Sequence, residues 1–166
     1  MRTSAKRIAL CAMMSALGVV LMVLGAALEL GVYACPLLVG LCFVPIGKKF
    51  GIRYHIIVYA VTGILCLILV PNIEENLVFA AFFGWYPMVR PVLEKLPKIF
   101  SWVLKFLIFN AVIVAVEWLV ITVFAPEAMP NVLLWTLLLL GNITFFVYDL
   151  AIPKITRLLE RLVEIL

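Results

Sequence analysis

Charge is what this chain has least of. Asp, Glu, Lys and Arg make up only 13% of its 166 residues, against roughly 25% in an ordinary soluble domain. There is a single histidine, His55. No Gly-rich phosphate loop or Walker signature occurs, so any use of ATP must reside in a partner. No internal repeat or low-complexity linker divides the chain, and no polar stretch leaves room for a separate soluble domain. The four cysteines, Cys11, Cys35, Cys42 and Cys66, lack the close spacing of a zinc site. Cys35 and Cys42 share a helix face, but all four read as ordinary buried thiols. What fills the chain instead is apolar: 67% of it, where a soluble domain has roughly 45–50%. The net charge of +4 then reflects membrane orientation and not nucleic-acid binding.

A helix needs about 20 mostly apolar residues to cross a hydrocarbon core roughly 30 Å thick. Apolar runs and their breakers predict six such spans, at about 8–28, 33–46, 54–70, 76–93, 99–124 and 132–152. The second is closed by Gly47 and Lys48, the third by Pro71, and the sixth by Pro153. The fourth contains Pro87 and Pro91 and is expected to break there. Residues 154–166 follow as an amphipathic helix lying in the interface, with Ile155, Leu158, Leu159, Leu162 and Leu166 on one face. The basic N-terminus and first apolar run resemble a signal peptide, but that run is too long and leads directly into more membrane sequence. It is expected to be a retained first span.

Orientation follows from the bases. All thirteen Lys and Arg fall before the first span, between spans two and three, around the loop joining four and five, or after span six. The positive-inside rule makes that side cytoplasmic, with both termini inside and the chain in the cell membrane. The outer side then holds Glu29, Glu74, Glu75 and Glu127 and no base. Glu74 and Glu75 open the fourth span, where the helix dipole favours anions and Asn72 is placed to cap. They either serve that helix start or line the mouth of a binding site.

Depth separates the polar groups inside the spans into two layers. At about 1.5 Å per residue, Glu117 lies roughly 10 Å below the outer ends, Trp85, Tyr86 and Asn142 at roughly 14–16 Å, and Asn110 and Arg90 near 21 Å. Asp149 lies deeper still, and Arg90 is expected to pair with it, with Lys105 or Lys154 as competitors. The outer layer has an acid and no base. A bare carboxylate inside a membrane costs at least about 2.5–3.5 kcal/mol, so Glu117 must be paired, protonated or wetted. Either it is protonated and bonded to Asn142 or a backbone carbonyl, or it sits in a pocket whose ligand supplies the positive group. Trp85, Tyr86, Trp118 and Trp135 are candidates to wall that pocket, since aromatic faces attract organic cations. Asn110 shares the Glu117 face of span five.

Ala5, Ala9, Ala12 and Ala16 put a strip of small residues along span one, of the kind that lets helices approach closely in lipid. With its six spans, cytoplasmic termini and the stretch KRIALCAMMSALGVVL, the chain resembles the substrate-capture (S) components of energy-coupling factor (ECF) vitamin transporters. The resemblance implies that Ala12 and Ala16, with Ala9 beside them, dock on a transmembrane coupling subunit driven by two cytoplasmic ATPases. It also implies a small organic micronutrient bound near the outer face. Nickel and cobalt members use an N-terminal histidine-bearing segment, whereas the one histidine here, His55, falls on the cytoplasmic side, so a metal substrate is not expected. No cofactor, metal ligand or catalytic residue is expected either. A rival class is a non-transporting scaffold of cell-shape or cell-wall machinery. A membrane enzyme is a weaker rival. Glu74-Glu75 resembles the paired glutamates of intramembrane CAAX-type proteases, but no arginine or outer histidine accompanies them.

Overall fold

A computed structural model describes the backbone of residues 2–28, 33–123 and 131–165, with side chains at 5–28, 33–123, 138–155 and 157. Every described element is helical: α1 Arg2–Leu28, α2 Ala34–Phe50, α3 Ile52–Leu69, α4 Ile73–Val78, a π-helical segment Phe79–Phe83, α5 Tyr86–Leu93, α6 Lys98–Val123 and α7 Asn131–Ile165. Among the described residues, four stretches are long and apolar enough to cross a membrane: Ala5–Leu28, Ile52–Leu69, Lys98–Val123 and Leu138–Ile155. Polarity is inverted relative to a soluble protein. Ile64, Ile68, Ile99, Phe100 and Leu139 point outward, whereas His55, Thr62, Lys105, Glu117 and Asp149 are buried. A hydrocarbon solvent favours that arrangement, because it tolerates exposed apolar groups and penalises exposed charge.

Helices α1, α2 and α3 pack pairwise around one core, built on Met22, Val39, Phe43, Ile46, Val58 and Phe79. A second core lies between α2, the π segment, α5, α6 and α7. Aromatic rings hold it. Phe82 stacks on Tyr86 at 4.8 Å and meets Phe109 and Phe145 edge-on at 5.1 and 5.5 Å, while those two stack at 4.6 Å. Such pairs contribute about 0.5–1.5 kcal/mol each beyond area burial. In lipid, where apolar burial gives little, interlocking shape and hydrogen bonds carry the packing.

Three boundaries differ from expectation. Helix α2 runs through Gly47 and Lys48 to Phe50, where the lysines suit the negative end of its dipole. It stops at Gly51, whose φ of 95° suits glycine and whose N–H bonds to the Gly47 carbonyl at 3.0 Å. The fourth expected span breaks at Gly84–Trp85, not at its prolines. Pro87 sits in the first turn of α5, where no backbone donor is needed. Gly84 is required there because a Cβ would lie 2.4 Å from the Tyr59 ring. The carbonyls disturbed by the π segment and break find side-chain donors. Tyr59 Oη donates to Ala80 at 2.7 Å, Trp85 Nε1 to Ala81 at 2.5 Å, and His55 Nε2 lies 3.2 Å from the Gly84 oxygen.

Pro153 does not end α7, which continues to Ile165, so residues 154–165 are not a separate helix. A proline frees the carbonyl four residues earlier, here that of Asp149. Arg90 Nη2 donates to that oxygen at 3.2 Å, which removes much of the cost of continuing the helix.

Candidate functional site

At the end of the bundle where α2 and α4 begin and α6 ends, acids gather. The Asn72 side chain accepts from the Glu75 N–H at 3.2 Å, so the expected cap is present, with Glu74 and Glu75 in the first turn of α4. Tyr33, at the start of α2, donates its hydroxyl to Glu117 Oε1, and Glu74 lies near both. Glu75 turns inward. It is fully buried, and neither of its oxygens has a hydrogen-bond partner among the described residues. Its surroundings are tight: a Cβ at Gly25 would lie 2.6 Å from both Glu75 Oε1 and Cys35 Sγ. All four cysteines are free thiols.

The remaining residues expected around Glu117 are placed elsewhere. Asn142 does not meet Glu117. It pairs reciprocally with Asn110, 2.8 Å in each direction, and each amide also donates to a carbonyl one turn earlier on its own helix. The cause is helix direction: the middle of α6 faces α7, but α6 also packs on α4, and Glu117 belongs to the end that does. Trp85 is half-buried and bonded to Ala81. Tyr86 is fully buried and donates to Asp149, away from Glu117. Trp118 is 67% exposed on the outer surface of the bundle. No aromatic wall of Trp85, Tyr86 and Trp118 therefore forms around Glu117. The Trp135 side chain, Glu29 and Glu127 lie outside the described residues. Tyr33 was the missed member. The available signal was an aromatic hydroxyl at the start of a helix, level with the acids.

Bases gather at the opposite end. Asp149, 1% exposed, accepts from Tyr86 Oη at 2.5 Å, Arg90 Nε at 2.9 Å and Lys105 Nζ at 2.8 Å. Glu94 adds a second carboxylate, 2.7 Å from Arg90 and 3.8 Å from Lys105. The expected Arg90–Asp149 pair is present, and Lys105 joins it instead of competing. Two cavities open at this end. One, of about 380 Å³, is lined by Lys48, His55, Arg90 and Glu94 among others. The second, of about 470 Å³, lies between α5, the start of α6 and α7. The alanines of α1 are elsewhere again: Ala5, Ala9, Ala12 and Ala16 are all exposed.

Comparison with family models, curated proteins and solved structures returns no match to this chain. Its chemistry therefore has to be read from the geometry. The acidic end offers one carboxylate bonded to a tyrosine hydroxyl, a second close to it, a third buried with no hydrogen-bond partner among the described residues, and no described Lys or Arg. That arrangement suits a positive group brought from outside.

Proposed function

We propose that the chain is the membrane-embedded substrate-capture component of an ECF-type importer, binding a small organic micronutrient with an amine or other cationic group at its acidic end. In this reading it crosses the membrane six times. The four long helices are joined by α2, which at about 1.5 Å per residue reaches roughly 25 Å, and by α4, the π segment and α5 as one broken crossing. The basic end, with both termini, faces the cytoplasm.

The observation that carries the proposal is unmatched acid. Glu74 and Glu117 lie beside each other without a described base, and both Glu75 oxygens, turned inward toward Gly25, are buried with no hydrogen-bond partner among the described residues. A ligand ammonium placed between Glu74 and Glu117 gains charge-assisted hydrogen bonds of about 1.5–3 kcal/mol each. It also relieves repulsion between the two carboxylates. The coupling subunit, driven by two ATPases, docks on the Ala9–Ala12–Ala16 strip. Its exposure supports this, since no described helix covers it.

Native mass spectrometry of the gently purified protein identifies the ligand, and calorimetry then measures it. Glu117→Gln is expected to weaken binding about 10- to 150-fold. Ala12→Leu is expected to keep fold and ligand while losing uptake and co-purification with a coupling subunit. An anionic ligand, or unchanged affinity in Glu117→Gln, would overturn the cation site. Absence of any ligand and any coupling subunit would favour the scaffold class instead.

A further inference from the structure

The cavity between α5, α6 and α7 has donors that the ion network beside it leaves unused. Asp149 and Glu94 take Nε and Nη2 of Arg90 and Nζ of Lys105. A guanidinium has five N–H donors and an ammonium three. Arg90 Nη1 takes part in none of these contacts. Lys98 lines the same cavity, is exposed, and forms no ion pair among the described residues. Three bases thus face two acids. The cavity is also lined by the first turn of α6, which holds no acidic residue, whereas the first turn of α4 carries Glu74 and Glu75. An uncompensated helix start of this length attracts anions.

The remaining wall is apolar. Leu96 and Leu150 line the cavity while 42% and 47% exposed, and they adjoin the outward-facing Ile99, Phe100 and Val103. We infer that this cavity binds a phosphate-bearing anion, and that its occupant is the headgroup of an anionic glycerophospholipid. The phosphate sits against Lys98, Arg90 Nη1 and the start of α6, and the acyl chains cover Leu96, Leu150 and the outer face of α6. Free phosphate offers the same oxygens but nothing to cover the leucines. The site is at the opposite end from the proposed ligand site and does not depend on it.

The test is native mass spectrometry of the full chain after exchange into micelles carrying equal phosphatidylglycerol and phosphatidylcholine. Phosphatidylglycerol is expected to be retained preferentially. Lys98→Ala should lower that preference about 5-fold and Lys98→Glu about 30-fold, from one and two units of charge near a membrane surface. Lys6→Glu changes net charge equally on a helix that does not line the cavity, and should leave the preference intact. Thermal unfolding of each variant, expected unchanged at these exposed positions, checks the fold. Displacement of the lipid by excess inorganic phosphate would keep the anion site and overturn the lipid as its occupant. Equal retention of both lipids, or equal loss in Lys6→Glu and Lys98→Glu, would overturn the site.

Discussion

Asp149→Asn keeps the shape of the side chain and removes its charge, which isolates what that charge does. Asp149 accepts from Tyr86, Arg90 and Lys105 within 2.9 Å, and it is 1% exposed. The amide keeps one acceptor oxygen and turns an N–H₂ toward a cation. Arg90 and Lys105, with side chains 12% and 3% exposed, are then neutralised only by Glu94, which is 44% exposed and 3.8 Å from Lys105. Removing one partner from a buried ion pair costs about 3–5 kcal/mol. Because Arg90 retains Glu94 at 2.7 Å, the lower end, about 3 kcal/mol, is expected. Tyr86→Phe removes one hydrogen bond to a charged group and should cost about 1.5–3 kcal/mol, no more than the loss of the charge itself. The triple replacement Asp149→Leu, Arg90→Met, Lys105→Met leaves no unpaired charge and should recover most of the loss. Recovery stops short because Arg90 also bonds the carbonyl freed by Pro153. Unfolding in mixed micelles, followed by circular dichroism, measures all three. A loss under about 1 kcal/mol in Asp149→Asn, or a triple variant no better than the single, would refute the view that a dry charge cluster holds this end together.

Gly40→Ala places a Cβ 2.4 Å from the Phe83 carbonyl oxygen, which is backbone and cannot yield, so a loss of about 1–3 kcal/mol is expected in the same assay. Gly63→Ala, in mid-α3 with nothing within 4 Å, should instead stabilise by about 0.5–1 kcal/mol; a loss there would show that something covers that face. A cysteine at Glu74 should react with an impermeant thiol reagent applied outside intact cells and one at Lys49 should not; equal labelling would refute the proposed orientation.

Which of these features the sequence announces depends on whether a local rule or a meeting of distant elements decides them. The Asn72 cap and the acids after it are local, and they are where the capping pattern puts them. The Arg90–Asp149 pair spans 59 positions, yet it was foreseeable because an apolar solvent leaves a charge little choice but to find another. Helix breaks were harder. The effect of Pro153 turns on whether the carbonyl it frees meets a donor, and that donor is on α5. The break at Gly84 turns on the nearness of Tyr59 on α3. Partner choice was hardest. Seven-residue spacing puts Asn110 and Glu117 on one face of α6, but it does not say that α7 meets the first and Tyr33 the second.

The two ends of the bundle treat charge in opposite ways, and the contrast assigns them different work. At the basic end the buried acid is saturated: Asp149 has three donors on two oxygens, and the surplus lies on the cations facing the cavity. A saturated network fixes geometry and gains little from a further cation. At the acidic end Glu117 takes the Tyr33 hydroxyl with Glu74 close by, and neither Glu75 oxygen has a hydrogen-bond partner among the described residues. Each of these raises the free energy of the empty protein, and unsatisfied groups of this kind persist where function requires them. In the proposed reading a cationic ligand would relieve the repulsion between Glu74 and Glu117, so that energy withheld from stability becomes energy of binding. Stability is, in that reading, built at one end of the bundle and binding capacity held at the other.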